Sequence, residues 1–430
     1  MVARSPTGAL RGARRRTGLK VLVVGAGIVG LCVAWHLVRR GAQVTVLERE
    51  GPGLGCSYGN SASLSSSSVA PLALPGVVRK APRMLIDKTG PLHIPPHYWL
   101  RAAPWLARFV AASRPARVER ISSALAELLR PSIEKHRRIM QEIEAADLLR
   151  TNGQLVVYRD RKQLAQDETV WSLRRRHGHV IEVLERREML ELEAALGAAY
   201  TVGVFLPNEA MVANPYRYCE RLAQALAERG AAIVRDAVAA LEAVDGTIRR
   251  VRGLHSRYEA DAVVVCAGAW SMELLRPLGY RIPLESQRGY HITLRDTGIE
   301  INRPVVPADR KVFITSQEAG LRVGGTVEFA GLEAPPNAAR AELLVDDLRA
   351  VFPQAHLNGA RSDWMGHRPC LPDSLPVIGE SVRHRGLWFA FGHGHLGLTA
   401  AAITGEAVAR GMLGEPPQLD LRPYSAERFD

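Results

Sequence analysis

Val21 to Val24 form an unbroken apolar, β-branched run, the pattern of a strand buried on both faces. Gly25, Gly27 and Gly30 follow, and Ile28 to Arg40 carries a helical apolar pattern closed by Gly41. Val44 to Leu47 is a second apolar strand, ending in Glu48. The helix Tyr216 to Arg229 and the strands Ala232 to Arg235 and Ala262 to Cys266 make a second α/β set, and Leu387 to Phe391 is a further buried strand. Between these sets the period changes to two in Gln154 to Tyr158, Tyr290 to Leu294, Val312 to Thr315 and Leu321 to Val327, which predicts an antiparallel sheet. Residues 97 to 150 read as helical. Their stripe of Tyr98, Trp99, Trp105, Leu106 and Phe109 fits core packing or a membrane-touching face.

The first of these patterns carries chemistry. Glycines in G-x-G-x-x-G, placed between a strand and a helix, serve a dinucleotide: Gly25 for the tight turn, Gly27 for close approach of the pyrophosphate, Gly30 for helix packing. Glu48 ends the next strand, where a carboxylate accepts ribose hydroxyls and disfavours a 2′-phosphate. The small, polar stretch GPGLGCSYGNSASLSSSS then offers Ser57, Asn60 and Ser61 as hydrogen-bonding groups around a cofactor. Near the carboxyl end, Arg368 stands beside Pro369 and close to Pro372, which stiffen its backbone. A held guanidinium suits bidentate capture of a carboxylate, or a brace to Asp373 or Asp363. The glycine-rich turn Gly392 to Gly397 opens a helix and aims amides at an anion.

Composition narrows the class. The chain has 430 residues, 47% hydrophobic and 23% charged, enough for two or three domains with their own cores. Five scattered cysteines without C-x-x-C pairing predict reduced thiols, a cytoplasmic setting and no metal. The formal charge of +12 is spread over short arginine runs such as Arg174 to Arg176, which read as solvated helix faces; no nucleic-acid partner is expected. Residues 1 to 18 hold five arginines and no acid, the composition of a disordered basic extension. Arg14 to Arg16 before an apolar run suggest an export signal or a span. The three glycines, and the need for this run as the first strand and helix, argue against both.

Taken together, GAGIVG, LERE, SYGNSAS, DAVVVCAGAWS, QRGYHITL, LRVGGTVEF, GHRPCLPDSLPVIG and GHGHLGLT resemble the FAD-dependent D-amino-acid dehydrogenases and, more distantly, the glycine and sarcosine oxidases. The resemblance covers Lys20 to about Gly414. It implies an α/β protein: a Rossmann-like FAD-binding domain of the glutathione-reductase type, interleaved with an α+β substrate domain on an antiparallel sheet. The FAD domain is assigned to residues 19–80, 205–280 and 365–415, the substrate domain to 81–204 and 281–364, and the tail to 416–430. It further implies FAD bound by Gly25, Gly27, Ile28, Val29, Gly30, Glu48, Arg49, Ser57, Asn60, Ser61, Val238, Ala267, Gly268 and Trp270, with its ring beside Gly394, His395, Leu396, Gly397, Leu398 and Thr399. Arg368 matches the family's carboxylate-binding arginine. The implied reaction takes hydride from the α-carbon of a D-amino acid to flavin N5, giving an imino acid that hydrolyses to a 2-oxo acid and ammonia. The acceptor is a quinone or oxygen, with peripheral contact to the inner face of the cytoplasmic membrane through the Trp99 to Phe109 face if it is a quinone.

The chain also departs from the pattern. A substrate-binding tyrosine of glycine-oxidase relatives corresponds to Phe313, leaving Tyr290 to substitute. His367 precedes the arginine and is assigned to the site with His395, whereas His393 reads as packing. Gly366 stands where some relatives attach flavin to a cysteine, with Cys370 only nearby, so FAD is expected to be non-covalent. Oxidation of D-proline, D-hydroxyproline, sarcosine or glycine, a subunit of a multi-chain dehydrogenase, a nicotinamide enzyme and a flavin-dependent tRNA-modification protein are the alternatives.

Overall fold

The computed structural model describes residues 18–76, 90 and 92–430, so the basic extension lies, Gly18 apart, outside the described residues. The strands Gln43–Glu48 and Ala262–Val265 flank Lys20–Val24 in parallel. Ala232–Arg235 extends the sheet on one side, and Leu387–Phe391 on the other. Val377–Glu380 closes the far edge antiparallel. Val21 to Val24, Ala262 to Val265 and Leu387 to Phe391 are all buried, which is why their sequences run apolar without alternation. The carboxyl ends of the parallel strands open on one side, where ligands of such sheets bind.

The helices Ile28–Val38, Pro215–Glu228 and Gly397–Met412 share one core with the sheet through Leu31, Leu222, Ile403 and Val264. The first of them ends short of the predicted Arg40, and Gly41 reverses the chain at φ +84°. Ile28–Val38 and Gly397–Met412 approach so closely that a Cβ on Gly405 would lie 2.5 Å from the Cys32 backbone. The opposite face is covered by the antiparallel strands Val238–Val244, Thr247–Gly253 and Arg257–Glu259.

The period-two segments assemble as predicted into a large sheet, mostly antiparallel. Its order is Arg361–Cys370, Glu285–Leu294, Gly320–Phe329, Phe313–Gln317, Val305–Pro307, Gln154–Tyr158, Val202–Leu206 and Glu182–Glu185. Membership of this sheet moves two predicted boundaries. The limits at 204/205 and 364/365 cut the strands Val202–Leu206 and Arg361–Cys370, which belong whole to the large sheet. The predicted tail is also packed: Tyr424 is buried and donates to the Ala124 carbonyl at 2.6 Å, and Arg428 pairs with Asp373 at 2.8 Å.

Helices Trp99–Ala112, Pro115–Leu129 and Ser132–Glu142 occupy the predicted helical region. Tyr98 and Trp105 are buried with Phe329 and Cys370, so much of the aromatic stripe is core; Trp99 and Leu100 remain exposed. Among the described residues no helix is long and apolar enough to cross a membrane.

Candidate active site

A cavity of about 1190 Å³ runs from the carboxyl ends of the parallel strands to the large sheet. That exceeds the roughly 300–1,000 Å³ of ordinary ligand pockets, leaving room for an extended cofactor together with a substrate. Every candidate named from the sequence lines it except Gly30. Gly30 acts from behind: a Cβ there would meet the Gly25 carbonyl oxygen at 1.9 Å, so only glycine lets the helix seat on the turn. Gly25 itself has φ +106° and would clash with Cys266.

At this end Glu48 braces the turn, accepting the Ala26 amide at 2.7 Å and the Glu50 amide at 3.2 Å. The polar loop behaves differently from the expectation. Ser57 Oγ accepts the Ile28 amide at 2.9 Å, so it organises the first helical turn. Asn60 Oδ1 accepts the Ala62 amide at 2.7 Å and holds Ala62 at φ +67°. Both side chains build the loop rather than reach outward. Ser61 faces the cavity beside Gly324, where a Cβ would lie 2.3 Å from its hydroxyl. Val238, Ala267 and Gly268 add backbone and small apolar wall, and the Arg49 guanidinium stacks 3.7 Å over the Trp270 ring.

At the other end a short turn, Gly394–Leu396, leads into the helix Gly397–Met412. Gly392 and Gly394 take φ +83° and +56°, the left-handed geometry that lets the chain turn here. Thr399 Oγ1 accepts the Ser65 amide at 3.2 Å, tying this turn to the polar loop. His393 is buried against Thr404 at 3.0 Å with its pKa pulled down to about 3 by desolvation, a packing role as predicted. His395 lines the cavity; desolvation and the Arg368 charge lower its pKa to about 4.

Arg368 lies where the turn meets the large sheet. A register shift between Arg288 and Tyr290 bulges the facing strand, and Thr326 there has φ +56°, strained for a β-branched residue. The bulge directs two carbonyls at the guanidinium: Nη1 donates to Thr326 at 2.8 Å and Nη2 to Gly325 at 3.2 Å. No carboxylate pairs with Arg368 among the described residues. Asp363 is taken by Arg361 and Asp373 by Arg428, so the brace reading is corrected. The remaining donors are free to take a planar anion from the cavity.

Tyr290 does not complete this clamp. Its hydroxyl donates to Glu328 at 2.5 Å and accepts the Asn337 amide at 3.0 Å, and Glu328 in turn faces Arg288 at 3.5 Å. Phe313 lines the cavity as expected. His367 bonds Ser286 at 2.9 Å and meets the Trp270 ring edge-on; burial, aided by Arg288 and Arg49, lowers its pKa to about 4. All three histidines that line the cavity, His367, His393 and His395, thus have pKa values lowered by desolvation, which favours the uncharged ring. Burial pushes the thiols of Cys56 and Cys370 up to about 11 and about 12, against any thiolate chemistry.

Several wall residues escaped the sequence reading. Thr326 sits at a bulge that periodicity does not reveal. Trp364 fills the space over Gly59 and Gly366, where a Cβ would approach its ring within 2.0 Å and 1.9 Å, and it stacks on His291. Arg174 lines the cavity although its run resembled a solvated face. Trp364 is marked only by its pairing with Gly59 and Gly366, which is invisible in one dimension.

The family described as FAD dependent oxidoreductase matches residues 20–410. A D-amino-acid oxidase of Bradyrhizobium diazoefficiens is 36% identical over 96% of this chain and 99% of its own. A D-amino acid dehydrogenase 2 of Pseudomonas aeruginosa is 34% identical over 93% and 96%. Among solved structures, L-proline dehydrogenase from P. horikoshii superposes with a TM-score of 0.74 at 17% identity, covering 96% of this chain and 98% of that one. Glycine oxidase from Geobacillus kaustophilus does so with a TM-score of 0.74 at 20% identity, covering 95% and 98%. These two share the fold.

Proposed function

We propose, from the premise that this chain belongs to the FAD dependent oxidoreductase family, that it oxidises D-amino acids to imino acids, which water hydrolyses to 2-oxo acids and ammonia. The observation that carries the reading is Arg368, half-buried at the cavity wall with its carbonyl partners on one edge and, among the described residues, no carboxylate of its own. The cavity fits FAD: a glycine cradle that a Cβ at 25 or 30 would destroy lies at one end, and a helix-opening turn at the other. When bound, FAD supplies the two-electron oxidant that takes hydride from the substrate α-carbon.

The protein's part is positioning. Arg368 holds the substrate carboxylate, and the Gly394 to Thr399 turn presents its positive helix end to the cavity. Glu48 carries the acceptor oxygens for an adenosine ribose. His367 and His395, uncharged at neutral pH, add no second cation beside Arg368. The amine enters as the free base, so no protein base is required. High thiol pKa values at Cys56 and Cys370 support a non-covalent flavin. Trp99 and Leu100, exposed on the helix whose Leu106 and Phe109 line the cavity, support a quinone at a membrane surface as the electron acceptor.

The test is anaerobic mixing of the yellow protein with D- and L-alanine, valine and proline, with glycine and sarcosine alongside. Rapid loss of the visible flavin band with D-isomers, and at least a hundredfold slower loss in Arg368→Ala, is the expected result. Bleaching by L-isomers alone, or by no amine, overturns the reading.

A further inference from the structure

Beside Arg368 the cavity wall turns to hydrocarbon. Leu92, Leu106, Phe109 and Val327 line the cavity and are each half-buried, while Trp105 and Phe329 belong to the buried cluster on which they pack. Phe109 stacks on Trp105, with ring centroids 5.3 Å apart and planes inclined by 17°, and Trp105 meets Phe329 edge-on at 5.3 Å. The Trp105 indole nitrogen donates to the Cys370 carbonyl at 3.4 Å, so the polar atom of this stack is already spent.

Two connections bring the wall up to the arginine. Val327 directly follows Thr326, whose carbonyl takes Arg368 Nη1 at 2.8 Å, and it pairs with Leu92 on the neighbouring strand. Cys370 stands two residues beyond Arg368 on the same face of its strand, roughly 7 Å along it, and holds Trp105 from there. The stack therefore begins within the reach of one amino-acid side chain from the guanidinium. A ligand whose carboxylate sits on Arg368 covers this wall favourably only with carbon, because a polar side chain would lose its hydration there and gain no partner.

We propose that Phe109, held in place by Trp105, is a specificity-determining residue that packs on the substrate's side chain, making bulky apolar D-amino acids, aromatic ones above all, the preferred class. The proposal rests on the amine-oxidation reading above, with Arg368 taking the α-carboxylate. The chemistry at the α-carbon is unchanged.

Two pairs are compared by anaerobic flavin reduction: D-phenylalanine with D-alanine, and D-leucine with D-asparagine, which has nearly the same shape. The wild type is expected to reduce about tenfold to a hundredfold faster with the apolar member of each pair at equal low concentration, the scale on which an apolar pocket discriminates. Phe109→Ala, and more mildly Phe109→Leu, are expected to lower the ratio of D-phenylalanine to D-alanine rates, by about tenfold in the alanine variant. A defect in folding or cofactor binding lowers both rates together and leaves that ratio alone, so an unchanged ratio overturns the role of Phe109. Equal wild-type rates within both pairs overturn the proposal even if the variants fail to fold, and leave this wall to the electron acceptor. 3-Phenylpropionate and propionate, which carry no amine, separate the two readings. If no amine bleaches the flavin but 3-phenylpropionate shifts its absorption at about a tenth of the propionate concentration, and loses that advantage in Phe109→Ala, the apolar site stands and the oxidation reading falls. If the two acids act alike and no apolar D-amino acid is preferred, the apolar site falls.

Discussion

The Arg368 guanidinium lies flat against the Cα of Gly289: a Cβ at position 289 would meet Cζ at 2.1 Å. Gly289 takes no left-handed φ, so the requirement comes from the arginine crossing it. One strand thus supplies a floor, and the bulged strand beyond supplies the Thr326 and Gly325 carbonyls that fix the guanidinium's outer edge.

Gly289→Ala should therefore act on substrate binding. The added methyl meets the far end of a flexible side chain, so the fold survives and Arg368 moves by about an ångström. A shift of that size in a binding group costs up to about a hundredfold. We expect KM for D-amino acids to rise tenfold or more with the flavin spectrum intact. Unchanged KM would show that Arg368 does not hold the substrate.

Tyr290→Phe separates fold from function at the neighbouring residue. The tyrosine hydroxyl serves Glu328, which is buried, and the half-buried Asn337 amide. Losing it costs about 1–3 kcal/mol of stability, the scale of an unsatisfied buried partner. Activity on a D-amino acid should stay within about twofold. A loss of more than tenfold in kcat/KM without a drop in melting temperature would return Tyr290 to the substrate.

These two residues also show how far one dimension reaches. Strand period, glycine spacing and the terminal Glu48 are local features with one structural solution, so the sheet at Lys20–Val24 and the cofactor end were legible. Arg368 was legible because prolines stiffen its segment. Tyr290 was not, because whether a side chain is spent or idle depends on partners remote in sequence, here Glu328. The bulge at Thr326 is equally silent, since nothing in LRVGGTVEF marks where the register slips.

Glu48→Ala should weaken cofactor binding more than it disturbs folding. The carboxylate braces the Ala26 and Glu50 amides and faces the cavity where the ribose is expected. Hydrogen bonds to a charged group contribute roughly 1.5–3 kcal/mol, so FAD affinity should fall about tenfold to a hundredfold, read by fluorescence on dilution. Retention of FAD at wild-type affinity would place the adenosine elsewhere.

Acid should loosen the flavin end first, through His136. This residue is buried between Tyr218, at 3.0 Å from Nδ1, and the Leu398 carbonyl, at 2.8 Å from Nε2, and burial lowers its pKa from 6.5 to about 4. The unfolded chain takes up the proton near pH 6.5 and the folded one only near 4, so acidification between those values favours unfolding. The full window is worth roughly 3 kcal/mol, at 1.36 kcal/mol per pH unit. His36 and His393, each lowered to about 3, add slope of the same sign. Melting temperature should therefore fall steadily from pH 6.5 to 4.5, with flavin fluorescence appearing as the Leu398 turn lets go. His136→Gln keeps a hydrogen-bonding side chain without the titration, and should shallow that slope without abolishing it. An unchanged slope would mean that His136 stays neutral in the unfolded chain or is already charged in the fold.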